Sequence, residues 1–323
     1  MGFNNEKEMS LDLYDKYLKK VKILNETIWD NKATRTKILD WLSNFEENER
    51  LNSLFLLTEF IYFNKHLVKQ MLVSIYRDLY KYREIEKIRK NNSDTLDEEF
   101  IKSEFKIALS KTRFLIIGNA SESSGHLLYP FRQENKISKS LCQTDEDYED
   151  IEHFVFIDDF CGSGQQAVDY SIDILPEIKN DFPNAKISYF MMVSTKEGKQ
   201  NIIENSSFDI VDCVLELDNS YKCFSKDSRI FKNKDDIINI EDIKQFLGKY
   251  GKELIESILL REEPEIPIEE KEELMEINKH GFNDGQLLIG FEHNTPDNTM
   301  PIFWYDEEMI AWTPIFKRYN KIY

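Results

Sequence analysis

The chain is poor in cysteine. Its 323 residues include four, Cys142, Cys161, Cys213 and Cys223, with no C-x-x-C pair and no even spacing. That excludes a disulfide framework and a cysteine-based zinc site, and it points to a reducing cytoplasm. Basic charge is also scarce: 42 Lys and Arg stand against 60 Asp and Glu, a formal net charge of −18. Phosphate backbones are held by basic surface, so the balance argues against nucleic acid as a non-specific partner and leaves open only a local basic groove. Long hydrophobic runs are missing too. The most apolar stretch, LFLLTEFIYF (Leu54 to Phe63), is about half a bilayer span and carries Glu59. The start, MGFNNEKEMS, lacks the basic-then-apolar order of a secretory leader, and Glu6 stands where myristoylation wants Ser or Thr. No membrane anchor is expected.

What is present suffices for real cores: 41% of the residues are hydrophobic, in a length that holds one large domain or two moderate ones. From Leu11 to about Lys111 no proline or glycine interrupts the chain. Leu54, Leu57, Phe60 and Ile61, then Leu67, Met71, Leu72, Ile75 and Leu79, recur at threes and fours. The spacing predicts an all-helical N-terminal region over residues 1–111, interrupted at Arg89 to Phe100, where Ser93 or Asp94 is placed to cap the helix that runs on to Lys111. Such helices offer surfaces for protein partners.

Residues 112–323 change texture. The pattern predicts a strand at Phe114 to Ile117, a loop of small polar residues to Gly125, a helix opening near His126, and a long loop from Gln133 to Glu152. An apolar strand follows, with a helix closing around Pro176. A strand at Ala185 to Thr195, a short helix at Lys196 to Asn205 and a strand in FDIVDCVLELD come next. This alternation implies an α/β domain with a mainly parallel sheet. Beyond it the reading is a charged helix (Ile240 to Leu260), a solvated connector with a further helix, and a strand at Leu287 to Phe291 leading into an aromatic cluster with Trp304 and Trp312.

The chemical signal sits in HFVFIDDFCGSGQQAVDY, His153 to Tyr170. Phe154 to Ile157 reads as a buried parallel strand, Asp158 and Asp159 are adjacent acids, and Gly162-Ser163-Gly164 frees the backbone for a tight turn before a helix. Gly162 to Ala167 fits the G-x-G-x-x-A fingerprint of dinucleotide folds, but the acid that should end the next strand is missing: that strand runs into Ser194-Thr195-Lys196. A second pattern, DDFCGSGQ, resembles the cofactor loop of S-adenosylmethionine methyltransferases. It lacks the same acid, and no Asn- or Asp-Pro-Pro-aromatic tetrapeptide occurs.

The third pattern covers more positions. An apolar strand, the acids Asp158-Asp159, the apolar Phe160, and then Cys161-Gly162-Ser163-Gly164 resemble, position by position, the signature of type I phosphoribosyltransferases. The residue types suit that chemistry. Asp158 and Asp159 are acceptors for the 2- and 3-hydroxyls of a ribose, while backbone N–H groups at a helix start receive its 5-phosphate. The resemblance implies binding of phosphoribosyl pyrophosphate at Asp158, Asp159, Cys161, Gly162, Ser163, Gly164 and Gln165, and Mg²⁺ held near Asp158 and Asp159 to offset pyrophosphate charge. It also implies a pyrophosphate grip from Ser121, Ser123, Ser124 and Gly125, with Arg132, Lys136 and Lys139 as further phosphate donors. More narrowly, FIDDFCGSGQQ, SESSGHLLYPFRQEN and HNTPDNTMPIFWYDEEMIAWTPIFKR resemble the phosphoribosyltransferase-like proteins of bacterial conflict and antiphage systems, which implies a place in defence. Two features depart from active members. Gln165 and Gln166 replace a small or basic residue and a hydroxyl, and Glu122 stands where the pyrophosphate loop carries a base. Those departures point to a non-standard substrate, or to a site that binds as a sensor without turnover. His293, on a loop with Asn294 and Asn298, is an additional candidate for the site.

Overall fold

A computed structural model of the chain describes residues 2–117, 127–142 and 150–318, with side chains from Ser10 onward. The strand–helix alternation folds as an α/β arrangement. β2 (Thr112–Ile116), β3 (His153–Cys161), β4 (Lys186–Thr195) and β5 (Ile210–Leu217) lie side by side in that order, all parallel. The inner strands are apolar on both faces, Phe154-Val155-Phe156-Ile157 in β3 and Phe190-Met191-Met192-Val193 in β4, so both faces must be covered. On one face Ala167, Val168, Leu175 and Ile202 pack onto Phe154, Phe156, Ile187, Tyr189 and Met191. They are carried by α8 (Gln165–Asp173), α9 (Leu175–Asp181) and α10 (Lys196–Asn205). On the other, Phe114 meets Tyr80 at 5.0 Å and Phe131 of α7 (Leu128–Asn135) at 5.1 Å. Tyr80 belongs to a π-helical stretch, Ile75–Lys81, that joins α4 (Lys65–Ser74) to α5 (Tyr82–Asn91). Phe105 of α6 (Glu98–Ser110) lies 6.2 Å from the Tyr80 ring.

The chain divides into two compact units. One holds this sheet and spans His66 to Asp218; the other joins the residues up to Lys65 with those from Asn219 to Arg318. The change of texture along the sequence falls at residue 111, whereas the compact units group α4, α5 and α6 with the sheet. In the second unit, α1 (Gly2–Thr27), α2 (Arg35–Leu42) and α3 (Arg50–Thr58) share one core with α11 (Ile240–Glu262) and the aromatic C-terminal segment. Trp41 stacks on Phe303 at 5.5 Å and its Nε1 donates to the Ile302 carbonyl at 2.8 Å. Phe60 stacks on Phe316 at 4.4 Å. A last helix, α12 (Ile268–Asn278), has no buried side chain.

Four local expectations are corrected. The N-terminal region is not helical throughout: Ile61–Phe63 forms a short strand, β1, parallel to β6 (Ile289–Phe291). Its β-branched and aromatic residues suit a strand once that distant partner is in place. The cap of α6 is Asp97, whose side chain accepts from the N–H groups of Glu99 and Phe100; Ser93 and Asp94 instead turn the chain with φ of 55°. The helix expected to close around Pro176 ends at Asp173, and Pro176 stands in the first turn of a second helix, α9, where its missing N–H costs nothing. Within the segment read as a loop from Gln133, α7 continues to Asn135 and a 3-10 turn covers Lys139–Cys142. Among the described residues, no helix is long and apolar enough to cross a membrane.

Candidate functional site

β3 ends at the C-terminal edge of the parallel sheet, between β2 and β4, which is where open α/β sheets bind ligands. The acid pair falls inside the last residues of this strand, so Asp158 and Asp159 point to opposite faces. Asp158 lies on the side of α8 and α10. Its Oδ2 accepts from the Tyr189 hydroxyl at 2.6 Å and its Oδ1 from the Asp159 N–H at 2.8 Å. Asp159 is only 6% exposed, and its Oδ1 accepts from the Phe160 N–H at 2.8 Å. Both carboxylates are thus oriented by the strand end itself.

The turn that follows is braced from outside. Thr195 closes β4 and caps α10; its hydroxyl accepts from the Gly198 N–H at 2.9 Å and donates to the Gly162 carbonyl at 2.5 Å. Asn201, one turn along α10, donates to the Ser163 carbonyl at 2.8 Å. Because C=O and N–H point opposite ways across a trans peptide, tying the Gly162 carbonyl to α10 turns the Ser163 N–H away from it. Gly164 then adopts φ of +77° and starts α8 with no side-chain cap, while Ser163 Oγ accepts from the Gln165 N–H at 3.3 Å. The packing between turn and helix is close enough to require glycine on both sides. A Cβ on Gly164 would lie 2.5 Å from the Gly198 carbonyl oxygen, and one on Gly198 would lie 2.0 Å from that of Gly162. The result is a small-residue turn opening onto a helix N-terminus, whose dipole and N–H groups favour an anion.

The structure thus assembles Asp158, Asp159, Cys161, Gly162, Ser163, Gly164 and Gln165 in one place. Cys161 contributes there through its backbone, since its side chain is buried beneath α10. Burial pushes its thiol up to about 12, against the Ser194 hydroxyl and the Gly164 N–H, which pull it down, so it is no nucleophile at neutral pH. Ser121, Ser123, Ser124 and Gly125 lie outside the described residues, as does Glu122. Arg132 sits on α7 with its guanidinium 5.7 Å over the Tyr129 ring. Lys136 ends α7 in the left-handed conformation and is exposed, and so is Lys139. His293 packs 5.6 Å from Phe291 within the other compact unit.

Among the described residues no group of three or more His, Cys, Asp or Glu side chains converges to enclose a metal ion. Mg²⁺ takes one or two protein carboxylates and completes its shell with substrate oxygens and water, so a carboxylate at this strand end is a fitting donor. Sequence reasoning missed Tyr189, Thr195, Gly198 and Asn201. Thr195 was open to discovery as an N-cap three residues before Gly198, whereas Tyr189 depends on the register that pairs it with Phe156, two residues before Asp158.

Residues 38–318 match the model of the family described as PRTase-CE, a phosphoribosyltransferase-like family. No curated protein matches the chain.

Proposed function

The chain belongs to the PRTase-CE family, and on that premise we propose that the edge of β3 binds a phosphoribosyl pyrophosphate-like ligand. The observation that carries this reading is the continuity of Asp158 and Asp159 with a glycine turn whose carbonyls are tied to α10 and whose far end is the start of α8. In this assignment the two carboxylates accept the ribose hydroxyls, and the 5-phosphate lies on the turn from Gly162 to Gln165 at the positive end of α8. The pyrophosphate is received by Ser121, Ser123, Ser124 and Gly125, which follow β2 in sequence, and by Arg132. Asp158 and Asp159 would hold Mg²⁺, whose contribution when bound is to neutralise pyrophosphate charge. The acids also favour positive charge that builds on the sugar as pyrophosphate departs.

The working context is a cytoplasmic antiphage role, drawn from the resemblance of FIDDFCGSGQQ and the C-terminal aromatic segment to proteins of conflict systems. A second reading, a sensor that binds the ligand without turnover, is favoured by Gln165 and Gln166 at the exposed start of α8, where active relatives carry a hydroxyl for phosphate. A methyltransferase is the weaker reading, because β4 ends in Thr195, whose hydroxyl is engaged by Gly162, and not in a carboxylate.

Titration calorimetry with phosphoribosyl pyrophosphate and Mg²⁺ tests the assignment. Saturable heat is expected, weakened by on the order of 10- to 100-fold in Asp159→Asn, the scale of one charged hydrogen bond, and abolished in Asp158→Asn/Asp159→Asn. Pyrophosphate release then separates transferase from sensor. Heat with S-adenosylmethionine and none with phosphoribosyl pyrophosphate would overturn the reading in favour of the methyltransferase.

A further inference from the structure

Tyr189 occupies a place that packing alone does not explain. It lies on the inner strand β4, is 1% exposed, and stacks its ring on Phe208 at 5.1 Å and 21°. A buried tyrosine hydroxyl needs an acceptor, and a backbone carbonyl would serve. Here the acceptor is Asp158 Oδ2 at 2.6 Å, an acid of the candidate site. The opposite oxygen, Oδ1, is held by the Asp159 N–H at 2.8 Å. A carboxylate gripped on both oxygens has its plane fixed.

We infer that Tyr189 is a positioning residue that locks the Asp158 carboxylate as an acceptor for one ribose hydroxyl and so makes the site select ribose over deoxyribose. The inference rests on the ribose-phosphate reading above and adds to it a division of labour: the turn from Gly162 to Gln165 supplies affinity for phosphate, and the Tyr189–Asp158 pair supplies discrimination at the sugar. A hydrogen-bonding site of this kind rejects an analogue that lacks the matching group, because its own polar atoms are then left unmatched. The ring of Tyr189 serves packing, whereas its hydroxyl serves the ligand.

The test compares ribose 5-phosphate with its 2-deoxy and 3-deoxy analogues by calorimetry in the full chain, in Tyr189→Phe, in Asp158→Asn and in the double variant. The wild-type chain is expected to prefer ribose 5-phosphate by about 10-fold or more over one of the analogues. Tyr189→Phe should collapse that ratio towards one while the affinity for the same deoxy analogue stays put. In the Asp158→Asn background it should have no further effect, since the two residues act as one unit. An undiminished ratio in Tyr189→Phe, or equal loss for all three sugars, overturns the inference and leaves the ribose-phosphate reading standing. Failure of the wild-type chain to bind any of them, or binding indifferent to Asp158→Asn/Asp159→Asn, overturns both. Should Tyr189→Phe not fold, 3-fluorotyrosine placed at position 189 gives the same decision through its fluorine resonance. Ribose 5-phosphate must shift it and the discriminated deoxy analogue must not; equal shifts overturn the inference.

Discussion

At the scale of single residues, the site depends on atoms that are absent as much as on those present. Gly164 and Gly198 face each other across the contact between the turn and α10, and neither leaves room for a methyl group. Gly164→Ala also meets the cost of φ at +77°. Each substitution is expected to destabilise the chain by about 1–3 kcal/mol, seen as a lower urea midpoint at unchanged slope. Gly198→Ala should in addition weaken phosphate binding, because it displaces the Gly162 carbonyl that orients the turn. An unshifted midpoint in both variants would show that turn and helix are not packed as described. The acid pair and the glycine turn were legible in the sequence because their chemistry is local: apolar strand, two acids and small residues stand in one stretch of eighteen letters. Tyr189 was not, since a strand residue becomes a partner of Asp158 only when the register of β3 against β4 is known.

At the scale of elements, β3 is anchored at both ends by polar contacts of different kinds. Its C-terminal end carries the site; its first residue, His153, is buried between Glu84 of α5 and Ser188 of β4. The His153 Nδ1 lies 3.2 Å from Glu84 Oε1 and its Nε2 2.8 Å from Ser188 Oγ. Ser188 is fully buried, so this Ser–His–Glu arrangement ties helix to sheet and reaches no substrate. Burial pushes the Glu84 carboxyl up, but the hydrogen bond and charge of His153, with Lys87 and Lys186, hold it below its ordinary value of 4.5. A carboxyl whose folded pKa is depressed adds stability above its unfolded pKa and gives it up as pH falls through the folded one. Stability should therefore decline as acidification passes below about pH 5, the upper edge of an ordinary carboxyl titration. Glu84→Gln should flatten that acid limb and cost about 1–3 kcal/mol at neutral pH, both measured by urea unfolding across pH. An acid limb identical in slope to that of the unsubstituted chain would remove Glu84 from the account. Of the elements themselves, α10 and the sheet strands followed from apolar runs and periodicity. β1 did not, because Ile61-Tyr62-Phe63 continues a helical spacing and becomes a strand only against Ile289-Gly290-Phe291. The cap of α6 slipped to Asp97 because Ser93 and Asp94 are committed to the preceding turn.

At the scale of the whole molecule, composition and alternation pointed to the α/β class, while the grouping of elements follows from packing. Trp41, Phe45, Leu54 and Phe60 form one core with Phe246, Leu254, Phe303 and Phe316, and burying such side chains contributes about 1.5–3 kcal/mol each. Truncation to residues 112–323 would strip that core of its N-terminal half and remove Tyr80 and Phe105 from one face of the sheet. The truncated chain is expected to lose its near-ultraviolet circular dichroism and cooperative melting. A sharp transition near that of the full chain would show that the removed helices are accessory. The pairing of β1 with β6 also has a consequence for synthesis on the ribosome. After Lys65 emerges, the whole stretch from His66 to Asp218 must be translated before the partners of Trp41 and Phe60 begin to appear, roughly 10–30 s at ordinary elongation rates. The sheet unit is continuous in sequence and can close on itself in that interval. The earliest-made helices wait with their apolar faces open, which makes the nascent amino-terminal segment a natural client for chaperones that shield hydrophobic surface until the last strand arrives.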